Sequence, residues 1–193
     1  VADGTQLHGN VLVGLCGEDG DALPYVVRAR NATLLAQGNQ CELAYADGVT
    51  VPALPPATVQ IEAANGYTGE TVLEGNLVRQ GLVGILFLGD DASRARIAGN
   101  IVPPFNTSSI VGIQVVSTNA TQAVEVCDNI VMARAPYILD SAGSTTIGIQ
   151  AFGFVRIHRN VVDFAGYGID LLGGTVRHQL VAENVITNCL RGI

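Results

Sequence analysis

Tryptophan and lysine are missing from this chain, and methionine occurs once. All ten basic residues are therefore arginines, and 17 acidic residues outnumber them to give a net charge of −7. That balance disfavours nucleic acid and anionic membrane surfaces as partners, because neutralising phosphate takes clustered cations. Charged residues are scarce at 14%, against 48% hydrophobic, the reverse of the balance that keeps a chain disordered. Long apolar runs are lacking too. The longest, Gly81 to Gly89, falls far short of the ~20 residues needed to cross a bilayer. The four cysteines (Cys16, Cys41, Cys127, Cys189) include no C-x-x-C pair, which argues against a disulfide scaffold and a zinc site and for free structural thiols.

What the chain does have is a recurring asparagine. Asn10, Asn39, Asn76, Asn100, Asn129, Asn160 and Asn184 each follow a short apolar stretch and precede two residues that are usually apolar. The spacings are 29, 37, 24, 29, 31 and 24, in the range that marks a solenoid or a blade. Three copies read nearly alike: TQLHGNVLV at 5–13, TVLEGNLVR at 71–79 and RARIAGNIV at 94–102.

Three residues before each Asn stands an apolar residue, from Leu7 to Val181, and two after it stands another, from Leu12 to Ile186. Cys41 holds that second position after Asn39 and is expected to face inward. The surrounding alternation has a period of two, so the elements are strands and not helices. Gly, Asn and Asp fall between them, where a corner needs positive φ, and an Asn at such a corner can adopt the left-handed conformation. Its amide can also bond to its counterpart one coil away.

A third apolar stretch follows a loop of variable length. It reads GILFLG at 84–89, GIQVVS at 112–117, GIQAFG at 148–153 and GIDLLG at 168–173, with GI again at 192–193. Less regular versions are PYVVRA at 24–29 and TVQIEA at 58–63. The expected unit is three short strands per coil, with loops of unequal length tolerated between them. The chain is expected to form one domain over 1–193. Its start at Val1 and its stop within a repeat suggest a piece of something longer at both ends.

With its Asn corners and Gly-Ile strands the chain resembles the right-handed parallel β-helix family, the architecture of pectate lyases, alginate epimerases and phage tailspikes. The resemblance implies an all-β solenoid of about seven coils of three short strands. It further implies that any polysaccharide substrate lies along the outside of one sheet, met by acids, calcium ligands and Arg. Gly89-Asp90-Asp91 is similar to the paired aspartates of polygalacturonases, but the Asn-Thr-Asp, Gly-His-Gly and Arg-Ile-Lys runs of those enzymes are missing. Tyr167-Gly168-Ile169-Asp170 resembles the Tyr-Gly-Phe-Asp of alginate epimerases, with Leu171-Leu172 where those enzymes have Pro-His. Asp170, Asp90 and Asp91 are thus the catalytic candidates the resemblance offers. His158 and His178 are expected to be surface strand residues, and the acidic loop at 17–21 a solvated turn that calcium could in principle occupy.

If each Ile of the Gly-Ile strands points inward, the outward residues are Leu86 and Leu88, Gln114 and Val116, Gln150 and Phe152, Asp170 and Leu172. Only one of these is a carboxylate. A hydrolase needs two carboxyls about 5–10 Å apart, and calcium takes six to eight oxygens. Leu88, Val116, Phe152 and Leu172 instead form an apolar stripe, flanked by Gln114 and Gln150, which reads as a binding face. Partners are expected to be another copy of the chain, neighbouring domains of a larger assembly, or a polysaccharide, with no metal or cofactor required. The expected role is a non-catalytic spike, shaft or recognition module, extracellular or on a particle surface. A polysaccharide lyase, epimerase or hydrolase is the alternative.

Overall fold

The computed structural model describes residues 4–16, 25–45, 57–63, 66–79, 83–90, 94–103, 111–118, 122–132, 146–163, 165–173 and 179–193. The first coil runs through β1 (Thr5–His8), β2 (Val11–Cys16) and β3 (Val27–Arg30). The second is β4 (Leu34–Gln37), β5 (Gln40–Tyr45) and β6 (Ala57–Ala63), and the third β7 (Glu70–Glu74), β8 (Leu77–Arg79) and β9 (Val83–Gly89). Next come β10 (Arg94–Ala98), β11 (Ile101–Val102) and β12 (Val111–Ser117), then β13 (Val124–Cys127), β14 (Ile130–Met132) and β15 (Ile147–Gly153). The sixth coil is β16 (Val155–His158), β17 (Val161–Asp163) and β18 (Tyr167–Leu172), and the seventh opens with β19 (Leu180–Ala182) and β20 (Val185–Thr187).

Each strand pairs in parallel with its counterparts one coil away. Sheets 1 and 2 have seven strands and sheet 3 has six, in the orders β1-β4-β7-β10-β13-β16-β19, β2-β5-β8-β11-β14-β17-β20 and β18-β15-β12-β9-β6-β3. The fold is a right-handed parallel β-helix, the hand that parallel crossovers take. Past β20 the backbone begins another Gly-Ile rung, with Gly168 N–H donating to Arg191 O and Ile169 N–H to Gly192 O. Among the described residues no helix is long and apolar enough to cross a membrane.

Alternation sends every second side chain into the bore. Ala36, Leu73, Ile97, Val126 and Ile157 of sheet 1 meet Cys41, Val78, Val102, Val131 and Val162 of sheet 2 and Ile61, Ile85, Ile113, Ile149 and Ile169 of sheet 3, all buried. Each Val, Leu or Ile side chain so buried contributes about 1.5–3 kcal/mol. A small void of about 10 Å³ remains in the early coils, lined by Ala36, Cys41, Leu73 and Val78 among others. Ala36, the smallest residue in the inward column of sheet 1, is one wall of this void.

The asparagines form a ladder between sheets 1 and 2. Each Nδ2 donates to the next Asn Oδ1, from Asn10 through Asn160, and every one of those bonds except Asn100–Asn129, at 3.0 Å, is 2.9 Å long. The left-handed conformation belongs to the residue before each Asn, not to the Asn itself. Gly9, Gly38, Gly75, Gly99, Asp128, Arg159 and Glu183 all have positive φ. The Asn side chain is held in the ladder, and its neighbour makes the corner.

The Gly of three Gly-Ile strands, Gly112, Gly148 and Gly168, is fixed by close approach. A Cβ on Gly148 would strike Val162 Cγ1 and stand 2.6 Å from Gly168 O, and Gly112 and Gly168 are equally enclosed. The first coil departs from the expected segment 24–29. Its strand begins at Val27, which pairs with Val59, and places Arg28 opposite Gln60. Val26 and Val27 are both apolar, so alternation in the sequence does not fix which of them points inward.

Candidate functional site

Sheet 3 carries the residues singled out by the sequence, and the ladders join them into two outward columns. The first runs Arg28, Gln60, Leu86, Gln114, Gln150, Asp170, and the second Arg30, Glu62, Leu88, Val116, Phe152, Leu172. Leu88, Val116 and Phe152 are half-buried, whereas Leu172 at the end of the stripe is 39% exposed.

In the first column the polar side chains bond along the axis. Gln114 Nε2 donates to Gln150 Oε1 at 2.7 Å, and Gln150 Nε2 donates to Asp170 Oδ2 at 2.8 Å. At the other end, Glu62 accepts from Arg28 at 2.9 Å and from Gln60 Nε2 at 2.6 Å, with Arg30 3.5 Å away. Arg28 also lies over the Tyr25 ring at 4.8 Å. Arg28, Arg30, Gln60 and Glu62 were missed by reading only the four regular Gly-Ile strands, although the alternation of TVQIEA signalled the last two.

The catalytic candidates do not converge. Asp90 follows the end of β9, where its Oδ2 accepts from Gly66 N–H at 2.6 Å, and Asp170 lies three coils on in the first column. Three rungs give ~14 Å along the axis and four residues ~13 Å along the strand, so these carboxyls stand about 19 Å apart. That is roughly twice the widest separation a two-carboxyl hydrolase uses. Glu62 lies four rungs from Asp170, which is again ~19 Å. Asp91, His178 and the acidic loop at 17–21 lie outside the described residues, and no group of three or more His, Cys, Asp or Glu that could hold a metal is found among those described.

Sheet 1 bears most of the remaining charge, arranged as pairs. Arg96 meets Glu74 at 2.7 Å, and Glu125 bonds both Arg156 at 3.2 Å and His158 Nε2 at 2.8 Å. Arg159 holds Asp128 with two hydrogen bonds of 2.8 and 3.0 Å. The guanidinium of Arg96 and the amide of Gln37 keep the Glu74 carboxyl below its usual range, and Arg159 does the same for Asp128. Cys127, next to His158 in this outward column, is nonetheless buried, and desolvation raises its thiol pKa. Burial pushes the Cys41 thiol up to about 11. These are environments of inert thiols, because a reactive one has its pKa lowered.

Comparison of the chain with family models, with curated proteins and with solved structures returns no match.

Proposed function

We propose that this β-helix is a non-catalytic structural or recognition module, a spike, shaft or adhesin-like part of a surface or phage-tail-like assembly, with sheet 3 as its contact face. The observation that carries this reading is the composition of that face. An unbroken column of Leu88, Val116, Phe152 and Leu172 runs beside a Gln114–Gln150–Asp170 chain of hydrogen bonds. An apolar platform including one aromatic ring, next to amides that still carry donors, suits the alternating apolar and hydroxylated faces of a sugar ring or the surface of a neighbouring domain. Asp170 stands far from both Asp90 and Glu62, and Glu62 is tied up by Arg28, Arg30 and Gln60, which supports binding over bond cleavage. Placement outside the cell or on a particle surface belongs to the same proposal.

The second reading, a polysaccharide lyase, epimerase or hydrolase, is favoured by Asp170 alone, a carboxylate on the exposed face beside Phe152 in its neighbouring column. One set of measurements separates the two. Calorimetric titration with neutral and uronate polymers, on the native chain and on Phe152→Ala and Gln150→Ala, reads binding. Ultraviolet absorbance of unsaturated product reads lyase chemistry. Binding lost on both substitutions, with no product formed, supports the module. Product that disappears in Asp170→Asn establishes the enzyme instead.

A further inference from the structure

The residue directly after each ladder Asn faces outward on sheet 2. Val11, Leu77, Ile101, Ile130, Val161 and Val185 occupy this column in register, with Gln40 the one polar member. All of the apolar members except the half-buried Leu77 are solvent-exposed, up to 70% at Val11. The geometry points to this stripe as a two-fold self-association face, on which a second copy of the chain packs sheet against sheet with the two solenoid axes parallel. The inference does not depend on what sheet 3 binds.

Three observations select a second copy as the occupant. The column offers no charge and a single amide over seven rungs, so it lacks the hydrogen-bonding groups a glycan or nucleic acid would need. Its rungs recur at the ~4.8 Å strand spacing, and a facing sheet of the same spacing lets side chains interdigitate rung for rung at ~10 Å. A copy of this chain has that spacing by construction. Finally, two molecules of net charge −7 repel, and the stripe is the column on which they approach with least charge between them.

Polar residues then set the direction. With parallel axes Gln40 faces Gln40 of the second copy, and two amides satisfy each other. The next outward column, which includes Glu42, Arg79, Met132 and Asp163, then lies over the other copy's corner. That arrangement brings Asp163 toward Arg159 of the second copy. With antiparallel axes Gln40 would face Val161, and Glu42 would meet Asp163, two like charges. The parallel arrangement is therefore preferred, by the same exclusion of alternatives through a single polar residue that fixes register in coiled coils.

The footprint is ~34 by ~12 Å, about 400 Å² per copy and about 800 Å² in total, at the weak and reversible end of specific interfaces. Dissociation in the micromolar range or above is expected. Sedimentation velocity on the native chain, from about 1 to 500 µM, should show the mass rising from one chain of 20.1 kDa toward two. Ile130→Lys should move the midpoint at least ~10-fold higher, because each Lys faces its own symmetry mate. Val116→Lys on sheet 3 should leave the midpoint in place. A constant 20.1 kDa throughout, or an equal shift from Val116→Lys, overturns the inference. If Ile130→Lys loses its β circular dichroism, the direction test still decides. In a background with Cys16 and Cys189 changed to Ser, Gln40→Cys alone should form a covalent dimer with a short bis-maleimide, because facing sheets ~10 Å apart are beyond the reach of a direct disulfide. Cross-linking only between Gln40→Cys and Val161→Cys in a mixture refutes the parallel arrangement.

Discussion

Replacing Asn100 by Ala tests the ladder directly. Asn100 is fully buried. Its Oδ1 accepts from Asn76 N–H at 3.0 Å and from Asn76 Nδ2 at 2.9 Å, and its Nδ2 donates to Leu73 O and Asn129 Oδ1, both at 3.0 Å. After truncation Asn76 N–H and one Asn76 Nδ2 hydrogen lose their acceptor, and Leu73 O loses this donor. Asn129 Oδ1 keeps the backbone N–H of residue 100. Three buried groups stripped of partners at about 1–3 kcal/mol each come to roughly 3–9 kcal/mol, a large part of the stability of a typical domain. At about 2–4 °C per kcal/mol, the melting temperature should fall by at least about 6 °C and by up to about 36 °C. Asn184→Ala is the matched control. It strips Asn160 N–H, Asn160 Nδ2 and Ile157 O, the same kinds of group, but Asn184 is only half-buried and water can replace it. Its cost should be about 1 kcal/mol, near the net value of a solvated hydrogen bond. Urea unfolding followed by far-ultraviolet circular dichroism measures both, with the slope checked in case coils unfold separately. Equal costs for Asn100→Ala and Asn184→Ala would refute the reasoning, since only desolvation separates them.

Gly148→Ala should destabilise by several kcal/mol because its Cβ meets Val162 and Gly168 O, whereas Gly173→Ala, with open space around it, should be close to neutral; thermal melts compare them. Glu183→Gly should stabilise by about 0.5–1 kcal/mol, since Glu183 sits at φ 57° where glycine is at ease; a lower urea midpoint would contradict this. Cys41 should resist a thiol reagent at neutral pH and react at once in urea, because desolvation holds its pKa near 11. Glu74 and Asp128 have folded-state pKa values below the ordinary 4.5 and 3.8, so their ion pairs stabilise the fold above those values and are lost as pH falls through the lower, folded ones. The Glu74–Arg96 pair is exposed enough that its loss should be at most about 1 kcal/mol, and the Asp128 pair shifts stability in the same direction, measured as the difference between urea midpoints at pH 6 and pH 3.

The fold was legible because the ladder and the bore impose residue types at fixed offsets. Asn must be Asn to donate forward and accept back, and Ile149 or Val162 must be apolar because the bore is dry. The sequence leaves open which of Gly, Asn and Asp takes positive φ at the corner: Gly9, Gly38, Gly75 and Gly99 mark it, but Asp128, Arg159 and Glu183 obscure the pattern. The outward columns were only partly legible. Alternation gave Leu88 through Leu172 correctly as one stripe, but surface positions accept many side chains, so nothing in their identities signals contact with a ligand. The stripe on sheet 2 was present in the sequence as the first of the two apolar residues after each Asn. It went unread because a position following a turn residue is as consistent with burial as with exposure until the corner geometry is known.

The ladder also makes the molecule mechanically anisotropic. Its hydrogen bonds all lie nearly along the solenoid axis, so a pull along that axis loads the coils in series. One interface between coils would open at a time, at low force and in steps of one repeat. A pull across the axis loads many rungs together in shear, and none can yield alone. A rod built this way would bear side loads stiffly while peeling from whichever end is gripped.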